Sequence, residues 1–217
     1  MIDVTEMLVK SLHAFDGQRD RSKQVEIGPS SIGGCRRRVW HELRQDPKVN
    51  ETSSLAAIMG TFIHAGIAES IKREDPFGDN FMIEEEFRAP EFNLKGHVDL
   101  FVKSEGLVVD WKTKTKSSMR YFPDPQEIWQ VQLYGFLLEE NGHKVNEVSL
   151  CAIPRDGSEN DIRIHREPYN RHIALTALEW LKAIDPQGTA PDPEKPLKWC
   201  AGYCPYFGEN SCPSTAR

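Results

Sequence analysis

The chain has 217 residues, of which 39% are apolar and 28% are charged, and its formal net charge is −6. This size and composition are typical of a single globular domain, and no apolar run approaches the roughly 20 residues that cross a bilayer. The acidic balance argues against a protein that coats nucleic acid by bulk charge, although it does not exclude a local basic groove. The N-terminus carries early acids and lacks the basic start of a secretory signal, so we expect a cytoplasmic chain with no membrane partner.

Segments with helical or alternating apolar spacing follow one another along the chain. The first 17 residues predict an amphipathic helix, and a second helix is predicted directly after Cys35. Residues 52–75 predict a long, mostly buried helix with His64 near its middle. Three strands, a helix, two strands and a final helix are then predicted, at 81–90, 94–103, 106–114, 124–142, 147–157, 161–168 and 169–185. Residues 186–200 are proline-rich and are predicted to be extended.

This order of elements predicts one domain, an α/β sandwich with a mixed sheet flanked by helices. Only residues 104–106 separate the second and third strands, which predicts a tight antiparallel hairpin. Within the domain spanning 1–217, we expect a helical N-terminal part at 28–75, a core at 81–185 and a cysteine-bearing tail at 186–217.

Charged residues end the third strand, in the stretch LVVDWKTK at 107–114. Residues two apart on a strand share a face, so Asp110 and Lys112 point one way and Trp111 the other. Asp99, in GHVDL, lies on the neighbouring strand, which runs about 4.8 Å away. Two carboxylates that close repel unless a cation lies between them, and Mg²⁺ or Mn²⁺ suits oxygen ligands. Taken alone, the stretch is explained equally well as a solvated strand end.

The two motifs together resemble the core of the PD-(D/E)xK nucleases, with Asp99 as the first acid, Asp110 as the second and Lys112 as the lysine. The resemblance implies a restriction-endonuclease-like sheet and metal-dependent hydrolysis of DNA. It further implies that both acids and the Trp111 carbonyl hold Mg²⁺ or Mn²⁺, and that Lys112 positions the attacking water. Trp111 is bulkier than the residue that the family commonly has there.

Two helical motifs extend the resemblance to RecB-like nucleases. GTFIHAGI resembles the helix that carries their metal-binding histidine, which corresponds to His64. QVQLYGFLL resembles their Q-x-x-x-Y motif, so Gln130 and Tyr134 lie on one helix face and are expected to contact the DNA backbone or the lysine. Without the resemblance, His64 is more simply a core histidine. Glu85 shares a strand face with Ile83 and Phe87, which points it inward, and it is a weaker candidate for a further acid of the site.

The chain has five cysteines, an odd number that, without a secretory signal, disfavours disulfides and favours a metal centre. Cys151 lies in an apolar strand and is expected to be a core residue. The remaining four, Cys35, Cys200, Cys204 and Cys212, suit either zinc or an iron–sulfur cluster. One cysteine before the core and three after it resemble the iron–sulfur members of the family, the CRISPR-associated RecB-like exonucleases and AddB-type nuclease domains. The resemblance therefore implies a structural [4Fe-4S] cluster, although the C-x3-C-x7-C spacing is looser than the family's.

Cations cluster in CRRRVWHELR and in KTKTK, and each cluster alone is most simply a solvated face. With the nuclease resemblance, Arg36, Arg37, Arg38 and Lys114 are expected to hold DNA. The resemblance implies an exonuclease that prefers single-stranded ends, acting in bacterial or phage recombination or repair, with a helicase or an integrase as candidate partner. The alternatives are a spacer-processing nuclease of CRISPR adaptation and a non-catalytic DNA-binding partner with the same fold. The intact acids and lysine argue against the non-catalytic alternative.

Overall fold

The structure, a computed structural model, describes residues 3–18, 26–50, 55–208 and 212. Its helices are α1 (Val4–Gln18), α2 (Arg36–Arg44), α3 (Leu55–Glu74), α4 (Pro125–Glu140), α5 (Arg171–Lys182) and α6 (Leu197–Tyr203). Its strands are β1 (Phe81–Ala89), β2 (Leu94–Val102), β3 (Leu107–Lys114), β4 (Glu147–Pro154) and β5 (Arg163–Pro168). The predicted helical residues 1–2 and 52–54, and the tail residues 209–211 and 213–217, lie outside the described part. Within that part, every helix is too short or too polar to span a bilayer.

The five strands form one mixed sheet in the order β1-β2-β3-β4-β5. β3 and β4 pair in parallel, and the other three neighbouring pairs are antiparallel. A parallel pair needs a crossover connection, and α4 supplies it between β3 and β4. The predicted α/β architecture with a mixed sheet flanked by helices is therefore confirmed.

Helix α4 is the central helix of the core, and its ends are fixed by local sequence. The Asp124 side chain accepts from the Glu127 backbone N–H at 3.0 Å, and the Glu127 side chain accepts from the Asp124 N–H at 3.0 Å. Gly142 follows the helix with a φ of 85°, a conformation that glycine adopts without strain. The helix is buried almost throughout residues 130–138 and packs with α5 on one face of the sheet.

Two sequence expectations were wrong. Helix α3 is not mostly buried, because Leu55, Met59 and Phe62 are exposed and only a narrow stripe including Ile58 contacts the protein interior. Much of the remaining face consists of small residues that line a cleft instead of a core. The segment 186–200 is not extended throughout, because α6 begins at Leu197 after Pro196, whose missing N–H costs nothing at a helix start.

The sheet forks between β2 and β3. The β2–β3 ladder joins Leu100–Val102 to Leu107–Val109, whereas β2 remains paired with β1 down to Leu94 and β3 remains paired with β4 out to Lys114. The next residues beyond the β2–β3 ladder are Asp99 and Asp110. The fork therefore opens at the two acids that the sequence singles out.

Candidate active site

Asp99 and Asp110 lie side by side at the fork and are 2% and 1% exposed. The Trp111 backbone N–H, freed where the strands separate, donates to Asp99 Oδ2 at 2.8 Å. The Asp99 carboxylate thus accepts a hydrogen bond from a backbone N–H of β3 at the point where the β2–β3 ladder has ended. A carboxylate so placed is both buried and fixed, which is the first requirement for a preorganised site.

Lys112 connects β3 to α4. Its Nζ lies 2.8 Å from Asp110 Oδ2 and donates to Gln130 Oε1 at 2.6 Å. The Gln130 amide in turn donates to Asp110 Oδ1 at 3.2 Å and to the Tyr134 hydroxyl at 3.1 Å. The contact of Lys112 with Asp110 is an ion pair of poor hydrogen-bond geometry, because Asp110 Oδ2 has no well-directed donor among the described residues. The structure thus joins these four predicted site residues in one network.

Close packing at two glycines brings the helices against these strands. A Cβ at Gly96, the glycine of GHVDL, would lie 2.9 Å from Tyr134 Cε1 and 3.0 Å from Leu137 Cδ1. A Cβ at Gly60 would lie 2.9 Å from Thr113 Oγ1, so this glycine lets α3 approach β3. The small residues therefore set the distance between the two helices and the fork.

His64 projects from α3 toward the same place. Its Nδ1 lies 3.3 Å from Asp99 Oδ2, so the histidine faces the first acid from the opposite wall of the cleft. The cleft has a volume of about 920 Å³ and is lined by His64, both acids, Lys112 and Gln130. Elements distant in sequence thus place these five polar side chains on one cavity.

Burial and charge perturb the titration of the site. Burial raises the pKa of Asp110 to about 6, an effect that Lys112 opposes and Asp99 reinforces. Burial lowers the pKa of Lys112, but the charge of Asp110, the short contact with it and the charges of Tyr134 and Asp99 together outweigh burial, so the net pKa is raised. Burial likewise lowers the pKa of His64. Its hydrogen bond to Asp99 and the charge of that acid raise the pKa, and the net shift is upward. The site is therefore built to keep Lys112 charged and to hold protons at the other two groups more tightly than usual.

Sequence reasoning missed Glu84. Its carboxylate, a nitrogen of His64 and a carboxylate oxygen of Asp99 all lie within 4.8 Å of one another. Glu85, the weaker candidate, is exposed and is not among the residues that line the cleft. The signal lay in the hairpin register: Ile83 pairs with Leu100 and Glu85 with Val98, which puts Glu84 opposite Asp99 on the same face.

The cations predicted to hold DNA have intramolecular partners and lie outside the lining of the cleft. Arg36 binds Glu194 through its backbone and its guanidinium, and Arg37 donates to the Pro191 carbonyl at 3.2 Å. Arg38 pairs with Glu42 on its own helix, and Lys114 pairs with Glu127. The contacts of Arg36 and Arg37 join α2 to the C-terminal segment. A role of the four residues in binding DNA stays a prediction.

Arg155 and Lys72, which the sequence did not single out, do line the cleft.

Four cysteines lie near one another where the start of α2 meets the C-terminal segment. Cys35 precedes that helix, Cys200 lies in α6, and Cys204 and Cys212 follow it; all four are buried and free. Burial raises the pKa of the Cys200 thiol, and the nearby Cys204 and Cys35 raise it further. Cys151 lies apart, in β4, where it packs in the smaller apolar cluster of the α3 side of the sheet.

The sheet is mixed and forks at two carboxylates and a lysine. This arrangement is typical of the PD-(D/E)XK fold class. A family model described as the PD-(D/E)XK nuclease superfamily matches residues 37–213, so the chain belongs to that superfamily. A search of curated proteins found no significant match.

Solved structures share this fold. The crystal structure of SSO0001 is 20% identical and superposes with a TM-score of 0.56, covering 94% of this chain and 95% of the other. An alkaline exonuclease from Laribacter hongkongensis, LHK-Exo, is 10% identical with a TM-score of 0.53, covering 76% and 88%. Its complex with dAMP is 11% identical with a TM-score of 0.52, covering 75% and 87%. At these identities, the likeness is one of fold.

Proposed function

We propose that this chain is a metal-dependent deoxyribonuclease of the RecB-like type that degrades DNA from single-stranded ends. The observation that carries the proposal is the arrangement of the buried Asp99 and Asp110 with the partly buried Lys112 at the fork, on the wall of a large cleft. Membership of a nuclease superfamily supports the reaction class. The positions of His64 and Gln130 on that cleft support the RecB-like type.

The donor set of the cleft fits a hard divalent cation. Asp99 and Asp110 offer carboxylate oxygens and His64 an imidazole nitrogen, with the Trp111 carbonyl as the further ligand implied by the sequence resemblance. When bound, Mg²⁺ or Mn²⁺ supplies Lewis acidity toward the scissile phosphate and acidifies a water molecule. His64, Asp99 and Asp110 line one cavity, and a nitrogen of His64 and a carboxylate oxygen of Asp99 lie within 4.8 Å of each other.

Lys112 supplies positive charge where the phosphate becomes more negative during hydrolysis. Its raised pKa keeps it protonated at neutral pH, so it acts as a hydrogen-bond donor and not as a base. Asp110 and Gln130 hold its Nζ from two sides, at 2.8 Å and 2.6 Å. Tyr134 restrains Gln130 in turn, so the ammonium needs little reorganisation during the reaction.

The preference for ends is supported by similarity and by charge. Two of the similar crystal structures are of one protein, an alkaline exonuclease, and one of these structures contains dAMP. A chain with a net charge of −6 has little bulk attraction for duplex DNA, so binding depends on the local cleft. We therefore infer that single-stranded ends are preferred over duplex interiors.

We also propose that Cys35, Cys200, Cys204 and Cys212 hold a structural [4Fe-4S] cluster. Four buried thiols on separate segments, without disulfides, fit a metal centre that fastens the C-terminal segment to α2. Four thiolates suit either zinc or an iron–sulfur cluster. The choice of a cluster rests on the resemblance of the cysteine pattern to that of the iron–sulfur RecB-like nucleases.

A time course on linear and circular single-stranded DNA of the same sequence tests the proposed activity. With Mn²⁺ or Mg²⁺, we expect the end-labelled linear strand to shorten to small products while the circle persists. Cleavage of circles at the rate of linear strands would contradict the preference for ends, and no cleavage of either substrate with either metal would contradict the nuclease assignment.

A further inference from the structure

We propose that Glu84 is a metal-binding residue of the cleft and binds, together with His64 and Asp99, one divalent cation. The inference rests on the proposed metal dependence and adds a ligand that the two-acid motif does not contain. Within the described ranges, these are the three potential ligands whose atoms gather within 4.8 Å of one another. Three separate elements, β1, α3 and β2, contribute one residue each.

The backbone at Glu84 is unusual for a strand. Its φ is +54°, in the left-handed region, although Ile83 and Glu85 on either side pair regularly with β2. Glycine adopts this conformation without a steric penalty, yet the chain has a glutamate here. A non-glycine residue persists in this region only where its surroundings fix it, and such residues cluster at functional sites. The local distortion coincides with the one position of β1 that faces Asp99.

The charges of the cleft divide into two groups. Asp110 is balanced by Lys112, whose ammonium lies 2.8 Å from Oδ2. Asp99 and Glu84 lie together on the other side, with His64 as their neighbour within 4.8 Å. Two carboxylates at this distance repel each other, and a divalent cation relieves the repulsion directly. A cation held by Asp99 therefore has an electrostatic reason to contact Glu84 as well.

Glu84 would add a further carboxylate oxygen to the imidazole nitrogen of His64 and the carboxylate oxygens of the two-acid motif. Carboxylates and water suit Mg²⁺ and Mn²⁺, and imidazole is a good ligand for first-row transition metals. Mn²⁺ is accordingly the probe with which to measure this site.

Calorimetric titration of metal-free protein with Mn²⁺, without DNA, tests the assignment. We expect Glu84→Gln to weaken Mn²⁺ binding at least tenfold and Glu85→Gln, its exposed neighbour on the same strand, to leave the affinity within twofold. The metal-free melting temperature of Glu84→Gln should be unchanged or higher, because one of two repelling carboxylates is removed. Unaltered Mn²⁺ affinity in Glu84→Gln would overturn the proposal.

A double variant separates a ligand from a residue that only positions His64. If Glu84 binds the ion, His64→Gln combined with Glu84→Gln will bind Mn²⁺ at least tenfold more weakly than His64→Gln alone. If the double variant binds Mn²⁺ as tightly as His64→Gln alone, the proposal is overturned. Because no DNA is used, the result stands apart from the nuclease assignment: a chain that binds Mn²⁺ through Glu84 but cleaves nothing would refute only the proposed function.

Discussion

At the scale of single residues, the Asp110–Lys112 pair determines the electrostatics of the site. Lys112 Nζ and Asp110 Oδ2 lie 2.8 Å apart, and Asp110 is buried. Removing either group would leave the other as an unpaired charge, which would destabilise the folded protein. Gln130 contacts both and holds them in one arrangement. The pair is therefore the most sensitive point for substitution, in stability as well as in catalysis.

Removing the lysine alone should destabilise the protein more than removing both charges. We expect Lys112→Met to lower the free energy of unfolding by about 3–5 kcal/mol at pH 8, where Asp110 must be buried as an unpaired anion. The loss should be smaller at pH 5.5, because Asp110, whose pKa is already raised to about 6, is then largely protonated. Urea unfolding at the two pH values measures both effects. The control is the double variant Asp110→Asn with Lys112→Met, which should recover much of the stability; no recovery would contradict the ion-pair explanation.

Metal affinity should rise with pH across the neutral range. Asp110 has a pKa raised to about 6 and His64 a pKa raised above its ordinary value, so both release a proton only at higher pH than usual. Both must be deprotonated to bind a cation, and therefore acid weakens binding. Calorimetric Mn²⁺ titrations from pH 5.5 to 8.5 should show this rise in wild type, and a flatter dependence in His64→Gln. A pH-independent affinity would contradict the assignment of these ligands.

The resemblance to nuclease motifs singled out most of the predicted residues of this site, and simple periodicities explain which of them share a face. Asp110 and Lys112 share a face because strands repeat every two residues, and Gln130 and Tyr134 because helices repeat nearly every four. Glu84 was overlooked, because its position opposite Asp99 follows only from the β1–β2 register, and its left-handed backbone is an exception to strand geometry that sequence does not show. The pairing of Arg36 with Glu194 was equally invisible, since it joins residues far apart in the chain.

At the scale of elements, the position of α4 on the sheet decides whether the site forms. Gly96 on β2 provides the space in which Tyr134 and Leu137 pack. Sequence correctly predicted α4, because its capping residues and apolar spacing are local signals. It did not predict the exposure of α3, because apolar spacing cannot tell a helix that faces a core from one whose small residues line a cleft.

Gly96→Ala should push α4 away from the sheet. Its Cβ would lie 2.9 Å from Tyr134 Cε1 and 3.0 Å from both Leu137 Cδ1 and Pro29 Cδ, closer than real contacts allow. We expect a loss of about 1–3 kcal/mol in the free energy of unfolding from overpacking, and slower cleavage because Gln130 moves with the helix. Chemical denaturation and cleavage rates measure both.

Gly66→Ala on α3 is the matched control, since its Cβ would meet nothing within 4 Å. Replacing an exposed helical glycine by alanine should stabilise the protein by about 1 kcal/mol and leave cleavage unchanged. Equal stability losses in the two variants would show that tight packing at Gly96 is not the cause.

At the scale of the whole molecule, α2 and the C-terminal segment are held together by contacts beyond the cysteines. Trp40 Nε1 donates to the Asp185 carbonyl at 3.1 Å, and Asn50 donates to the carbonyls of Ala201 and Cys204. The cysteines therefore lie in an interface that the polypeptide already forms. A metal centre there closes a loop of most of the chain, which restricts the unfolded state.

Cysteine substitutions test the proposed cluster. Protein purified without oxygen should be brown, with about four irons per chain as the [4Fe-4S] proposal requires. Cys35→Ser should lose both colour and thermal stability, because the binding free energy of a structural metal centre is folding free energy. Cys151→Ser should keep the colour and cost only about 1–3 kcal/mol for a polar atom in the core. One zinc and no iron would refute the iron–sulfur cluster while keeping the metal centre.

The most direct test of the central claim is the activity of Asp110→Ala on end-labelled single-stranded DNA with Mn²⁺, beside wild type and Cys151→Ser. We predict that wild type and Cys151→Ser shorten the strand, and that Asp110→Ala, still folded by circular dichroism, loses at least about 10²–10³-fold of the rate, the scale for removing a key group of a preorganised site. Wild-type activity in a folded Asp110→Ala protein would contradict the assignment of the fork between β2 and β3 as the catalytic centre.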